Sequence, residues 1–296
     1  MKLRSYNVLL GAFLVLCSCE SPIEKLSTDI RTFLPKDNGI YAVAFKDLKT
    51  GEKLLIHEHE VFHAASTMKT PVMIEVFKQA SEGKFAMTDS IIIKNEFKSI
   101  VDGSPFSLNP EDDSEPEIYK KVGRKEMVSA VVYDMIIASS NLATNILIEL
   151  VDAMNVTRTM RDYGAHDIQV LRGVEDSKAF AKGLNNSVTA NDLMLVFEKI
   201  AKGEAVNEEA SEAMKNILLD QKFNDIIPAR LPKEVRVAHK TGWITGVHHD
   251  SAIVYLPDGR MYVLVVLSKG LKDEKAGVEA LASVSEMVYQ YVIKIH

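Results

Sequence analysis

Three short segments carry residue types suited to acyl transfer: Ser66-Thr67-Met68-Lys69, Ser139-Ser140-Asn141 and Lys240-Thr241-Gly242. A serine hydroxyl is a poor nucleophile until a neighbouring base takes its proton. On a helix the residue three positions further on lies on the same face, so Lys69 can serve Ser66 as that base. A helix starting at Ser66 also turns free backbone N–H groups toward an oxyanion formed there. Each segment has a plain structural explanation as well: a solvated helix start, a helix cap at Ser139, an edge-strand charge at Lys240. Their occurrence together, in this order and each on a suitable element, points to one site.

The elements that must position these residues read as strands, then helices, then strands. Gly39 to Lys46 is rich in β-branched and aromatic residues, Lys49-Thr50-Gly51-Glu52 can turn, and Lys53 to His57 can return as a second strand. From Ser66 to about Leu219 helical spacing dominates, as in Leu142, Ile146 and Leu150 with Leu147, Val151 and Met154 widening the face. Ser66 or Thr67 is available to cap the first of these helices, Pro71 fits near its start and Gly83 ends it. Val235 to Lys240, Ser251 to Leu256 and Met261 to Ser268 read as strands, and Lys275 to Ile293 returns to helical spacing. The expected fold is α+β: an antiparallel sheet built from the N- and C-terminal segments and flanked by helices, with an all-helical domain inserted. Residues 20–65 plus 226–296 form the expected α/β domain and 66–225 the helical one. Ser107 to Glu117, acidic with two prolines, reads as a long exposed loop.

With these motifs the sequence resembles the class A β-lactamase family, whose signature is Ser-x-x-Lys, Ser-Asp-Asn and Lys-Thr-Gly. The likeness runs from about Leu34 to the C-terminus and includes Phe62 to Lys69, Ser139 to Asn145 and Ala238 to Gly246. The resemblance implies that Ser66 opens a lactam ring and that Lys69 accepts its proton. It also implies that Ser139 relays a proton to the departing nitrogen and that Asn141 binds the substrate's side-chain amide. Lys240 and Thr241, with Gly242 beside them, would hold the substrate carboxylate. The backbone N–H groups of Ser66 and Trp243 would form the oxyanion hole.

Hydrolysis also needs a water activated against the acyl-enzyme, the work of a glutamate on a loop after the Ser-Asp-Asn helix in the family. Glu175, in Arg172-Gly173-Val174-Glu175-Asp176, is the candidate. Four residues beyond it the family has an asparagine where this chain has Ala179, with Asn185 or Asn186 as possible substitutes. Arg172 stands one residue out of register, and Ser140 replaces the family's aspartate. Such departures can slow deacylation without abolishing acylation, so a penicillin-binding or cell-wall-peptide-recognising serine acyltransferase is the second reading.

A third reading comes from His59-Glu60-Val61-Phe62-His63, which matches a zinc-protease pattern that works only on a helix. The flanks put it between strand and helix. His248-His249-Asp250 reads as a turn, and Trp243 as a wall of the site. No cofactor is implied.

At the N-terminus, Lys2 and Arg4 precede an apolar run from Val8 to Leu16 that is too short to span a membrane. Leu16-Cys17-Ser18-Cys19 resembles a bacterial lipobox, so residues 1–19 read as a leader ending at a lipidated Cys19, and the protein as an exported periplasmic or cell-envelope lipoprotein. Cleavage removes Cys17, leaving no disulfide framework. The 35 basic and 41 acidic residues form no basic stripe, which argues against nucleic acid. A monomer is expected, with a β-lactam as substrate and the membrane reached through the lipid.

Overall fold

The computed structural model describes residues 21–295; Cys19 and the leader lie outside the described residues. The first elements are α1 (Pro22–Phe33), β1 (Ile40–Asp47), β2 (Lys53–Ile56) and the two-residue strand β3 (Phe62–His63). Next come α2 (Lys69–Ser81) and the short strands β4 (Ser90–Ile92), β5 (Phe97–Lys98), β6 (Pro105–Phe106) and β7 (Lys125–Met127). Four helices follow: α3 (Val128–Ile137), α4 (Asn141–Val151), α5 (Ala153–Asp162) and α6 (Ser177–Ala181). Then β8 (Ser187–Val188), α7 (Ala190–Ala201) and α8 (Glu208–Leu219) lead to the long strands β9 (Arg236–Ile244), β10 (Val247–Tyr255) and β11 (Met261–Lys269) and to α9 (Glu274–Ile295).

Four long strands and the shorter β2 form one antiparallel sheet in the order β2-β1-β11-β10-β9. The two ends of the chain meet along β1 and β11, from Ile40↔Lys269 to Asp47↔Tyr262. Because β11 is central and covered on both faces, its sequence is a continuous apolar run rather than an alternation. Tyr262, Leu264 and Val266 pack with Ile30 of α1 and Leu281 of α9, while Val263, Val265 and Leu267 join the core under the intervening helices. Each such burial contributes about 1.5–3 kcal/mol. The expected α+β architecture is the one observed. The segment between the sheet's two halves is mainly helical and adds three two-stranded ladders, β3–β8, β4–β7 and β5–β6.

Several local expectations are corrected. His248, His249 and Asp250 are not a turn: they lie in β10, opposite Trp243, Gly242 and Thr241 of β9. The hairpin instead turns at Thr245-Gly246, between the paired Ile244 and Val247, with Gly246 at φ +72°. β9 therefore continues past Lys240 and makes Trp243 a strand residue. His59 ends a turn and Phe62–His63 form the strand β3, so the helix that a zinc-protease pattern needs is absent from His59 to His63. The acidic loop at 107–117 winds into 3₁₀ turns and buries Asp113, which is 7% exposed. No side chain caps α2, which is entered through a 3₁₀ turn at Ala65–Met68. Gly83 does end α2: at φ +75° it donates to Ala80 O while Lys84 N donates to Gln79 O. Among the described residues no helix is long and apolar enough to cross a membrane.

Candidate active site

Ser66 sits half-buried on the 3₁₀ turn that leads into α2. In place of a cap, the sheet holds this turn. A Cβ on Gly242 would lie 2.8 Å from Ser66 N and 2.9 Å from Thr67 N, so only glycine lets β9 come this close. From the other side the buried His249 donates through Nε2 to His63 O (2.9 Å), and His63 Nδ1 accepts from Ala65 N (3.1 Å). Burial lowers the His249 pKa to about 4, so the ring is neutral at physiological pH. Six described non-glycine residues have positive φ, and three belong to this site: Ala65 at +46°, Ser139 at +57° and Glu175 at +62°. Backbone strain of about 1–3 kcal/mol per residue is thus concentrated where the candidate chemistry lies.

Lys69, fully buried, donates from Nζ to Ser139 O (2.6 Å), Ser139 Oγ (3.2 Å) and Asn141 Oδ1 (2.9 Å). Burial brings its pKa down to about 7, against the opposing pull of Asp113 and Glu175, so a neutral amine is accessible near neutral pH. Lys240, also fully buried, donates to the same Ser139 Oγ (3.0 Å) and to Thr241 O (2.8 Å). Burial and the neighbouring Lys69 hold its pKa well below the ordinary lysine range. Ser139 Oγ thus accepts from two amines and keeps its own O–H free to donate elsewhere, the arrangement a proton relay requires.

Glu175 is held from two sides. Asn141 Nδ2 donates to Glu175 Oε1 (2.7 Å), which joins Lys69, Asn141 and Glu175 in one chain. The loop itself is fixed by Asn145, whose Oδ1 accepts from Val174 N (2.6 Å) and whose Nδ2 donates to Val174 O (3.0 Å). Gly173 permits this approach, since a Cβ there would lie 2.3 Å from Asn145 Oδ1. The next residue, Asp176, accepts from Ser99 Oγ (2.9 Å) and Ile100 N (2.9 Å) and caps α6. Partial withdrawal from water raises the Glu175 pKa, the Asn141 bond opposing, and the side chain stays open to the cavity.

That cavity, about 680 Å³, is lined by Ser66, Ser139, Asn141, Glu175 and Trp243, with Phe180 on its rim. Lys69 and Lys240 lie behind Ser139. Thr241 and Gly242 line instead a smaller space of about 170 Å³ bounded also by Phe223 and His248, and Trp243 lines both. Neither proposed substitute for the family's asparagine bonds Glu175. Asn186 is tied to the backbone of Leu171 and Arg172, and Asn185 Oδ1 accepts from Arg172 Nη2 (3.1 Å). Ala179 is fully buried. Sequence reasoning missed Asn145 and Asp113, both buried side chains against α4 and its loops. Asn145 stood inside a recognised motif, four residues after Asn141, so its side chain shares that helix face; Asp113 had no local signal.

A serine at a helix start, a buried amine of lowered pKa behind it and a hydroxyl between two amines define a serine hydrolase of the acyl-transfer type. The chain matches the model of the beta-lactamase enzyme family over residues 25–292 and belongs to that family. Among solved structures it resembles PBP-A, at 26% identity and a TM-score of 0.78 over 91% of this chain and 96% of that one. A variant of PBP-A, described as an acyl-enzyme complex with penicillin G, matches at 27% identity and 0.78 over 93% and 98%. The β-lactamase of Sphaerobacter thermophilus DSM 20745 matches at 24% identity and 0.75 over 91% and 96%, a likeness of fold. No protein of curated description matches the chain.

Proposed function

We propose that the protein is a serine β-lactamase that acylates on Ser66 and releases the product with water activated by Glu175. In this reading Lys69 takes the Ser66 proton, Ser139 delivers a proton to the leaving nitrogen, and the N–H groups of Ser66 and Trp243 hold the oxyanion. Asn141 binds the substrate's side-chain amide; Lys240 and Thr241, across Gly242, bind its carboxylate. The observation that carries the reading is Glu175 on the wall of the same cavity as Ser66, hydrogen-bonded to the Asn141 that also binds Lys69. A carboxylate so held can orient a water against an acyl group on Ser66.

A second reading, acylation with slow release, is favoured by one observation: Asn141 is the only side-chain amide bonded to Glu175 among the described residues. Turnover of a chromogenic cephalosporin, followed with the lifetime of the acyl-enzyme, separates the two. Sustained turnover supports the hydrolase; a single burst sinks it in favour of the slow acyltransferase. Ser66→Ala abolishes covalent labelling by penicillin, and persistent labelling refutes both readings. Export and lipid attachment at Cys19 belong to the same proposal, carried by the leader sequence. Metabolic labelling with a palmitate analogue, lost in Cys19→Ser, tests it.

A further inference from the structure

Asp113 lies in the acidic loop before α3, far from the site in sequence, yet its carboxylate is seated against the start of α4. Oδ2 accepts from Asn141 N (3.0 Å), Leu142 N (2.9 Å), Ser140 Oγ (3.3 Å) and Tyr119 Oη (2.9 Å), while Oδ1 accepts from Glu115 N (3.0 Å). The first N–H groups of a helix have no intrahelical partner, and an anion there is favoured by both hydrogen bonding and the helix dipole. Ser140 caps Ala143 N (3.2 Å) but is neutral.

We propose that Asp113 is a positioning residue for this site: the loop delivers the carboxylate that Ser139-Ser140-Asn141 lacks at its middle position, and so fixes Asn141 between Lys69 and Glu175. The inference rests on the acyl-transfer reading above. Asn141 is the bridge, because its backbone N–H goes to Asp113 while its side chain meets Lys69 (2.9 Å) and Glu175 (2.7 Å). Loss of Asp113 frees that bridge and leaves the buried Leu142 N–H and the half-buried Asn141 N–H without that acceptor. There is also an electrostatic consequence. Lys69 is faced by Glu175 from the loop, Lys240 from β9 and Asp113 from the acidic segment, and the Asp113 charge favours the protonated amine. Without it, Lys69 gives up its proton at lower pH.

The test uses the full chain and compares Asp113→Asn, Asp113→Ala and the double variant Asp113→Ala/Ser140→Asp with the parent. Acylation by penicillin is measured per folded molecule across pH, and amide exchange is measured without substrate. Both single variants acylate about tenfold to a hundredfold more slowly. The acid limb of their acylation profile moves to lower pH, and the Asn141 and Leu142 amides exchange faster. A merely structural role lowers the folded fraction and leaves that limb in place. Adding Ser140→Asp to Asp113→Ala returns a carboxylate to the turn and recovers about tenfold in rate. Where Asp113→Ala does not fold, the isosteric Asp113→Asn carries the measurement. An unmoved acid limb, acylation within about twofold of the parent or unchanged amide exchange each overturns the proposal. A parent that penicillin never labels, together with faster amide exchange in the variants, refutes the acyl-transfer reading and leaves the positioning role standing.

Discussion

Gly242→Ala puts one methyl group between β9 and the turn that carries Ser66. The new Cβ meets Ser66 N at 2.8 Å, Thr67 N at 2.9 Å and the Thr67 methyl at 3.2 Å. Two of these are backbone atoms, so no rotamer change relieves them. Moving from 2.8 Å to ordinary contact at 3.4 Å separates the strand from the turn by about 0.6 Å. Ser66 and Trp243 stand on opposite sides of that seam, and in the proposed mechanism their N–H groups share one oxyanion. Stretched by that amount, one donor moves from about 2.7–3.1 Å to roughly 3.3–3.7 Å, outside hydrogen-bonding range. Loss of one such donor costs about 10²–10³ in rate. Overpacking costs a further 1–3 kcal/mol, roughly, of stability. Stopped-flow acylation with a chromogenic cephalosporin, beside a thermal melt, reads both. A folded Gly242→Ala protein that acylates within about threefold of the parent refutes the assignment of the oxyanion hole to this seam.

Other substitutions divide acylation from release. Glu175→Gln acylates at close to the parental rate but hydrolyses the adduct about 10²–10⁴-fold more slowly, seen by mass spectrometry as a persistent acyl-enzyme; unchanged turnover removes Glu175 from the mechanism. Gly173→Ala, whose methyl would collide with Asn145 Oδ1, loosens the Asn145–Val174 pair and lengthens the acyl-enzyme lifetime more than it slows acylation. Equal loss in both steps speaks against a loop-specific role. As pH falls below about 7, Lys69 becomes protonated and cannot take the Ser66 proton, so acylation drops about tenfold per unit. Deacylation fails as pH falls through the raised Glu175 pKa, above the ordinary glutamate range. A pH-rate profile with no acid limb near neutrality contradicts the neutral-lysine mechanism.

What the sequence made legible was what is encoded locally or in strongly periodic runs. The β1–β2 hairpin, the apolar β11 and the long α9 follow from strand and helix periodicity, and the convergence of Ser66, Lys69, Ser139, Asn141, Lys240 and Thr241 follows from three motifs on such elements. The errors fall where a distant contact decides the outcome. His249 and Asp250 are polar residues in a strand because each has a buried partner elsewhere: His249 meets His63 O, and Asp250 accepts from His239 Nδ1 (3.0 Å) and Ile227 N (3.0 Å). Asp113 sits in a stretch whose composition is that of an exposed loop, and its burial follows from the donors it meets, the first amides of α4 with Tyr119 Oη and Ser140 Oγ. The uncapped start of α2 is likewise held by Gly242 and, through His63 O, by His249, both far along the chain.

The positive φ values at Ala65, Ser139 and Glu175 also bear on how this molecule can be made sturdier. Glycine relieves such angles, so a search for thermal resistance will be drawn to these three positions. At Ser139 and Glu175 the same change deletes a side chain that the proposed chemistry uses, and in that reading robustness is gained against activity. At Ala65 only a methyl group is lost. Ala65→Gly is therefore the variant in which the rigidity of the turn, separated from the groups it carries, can be weighed on its own.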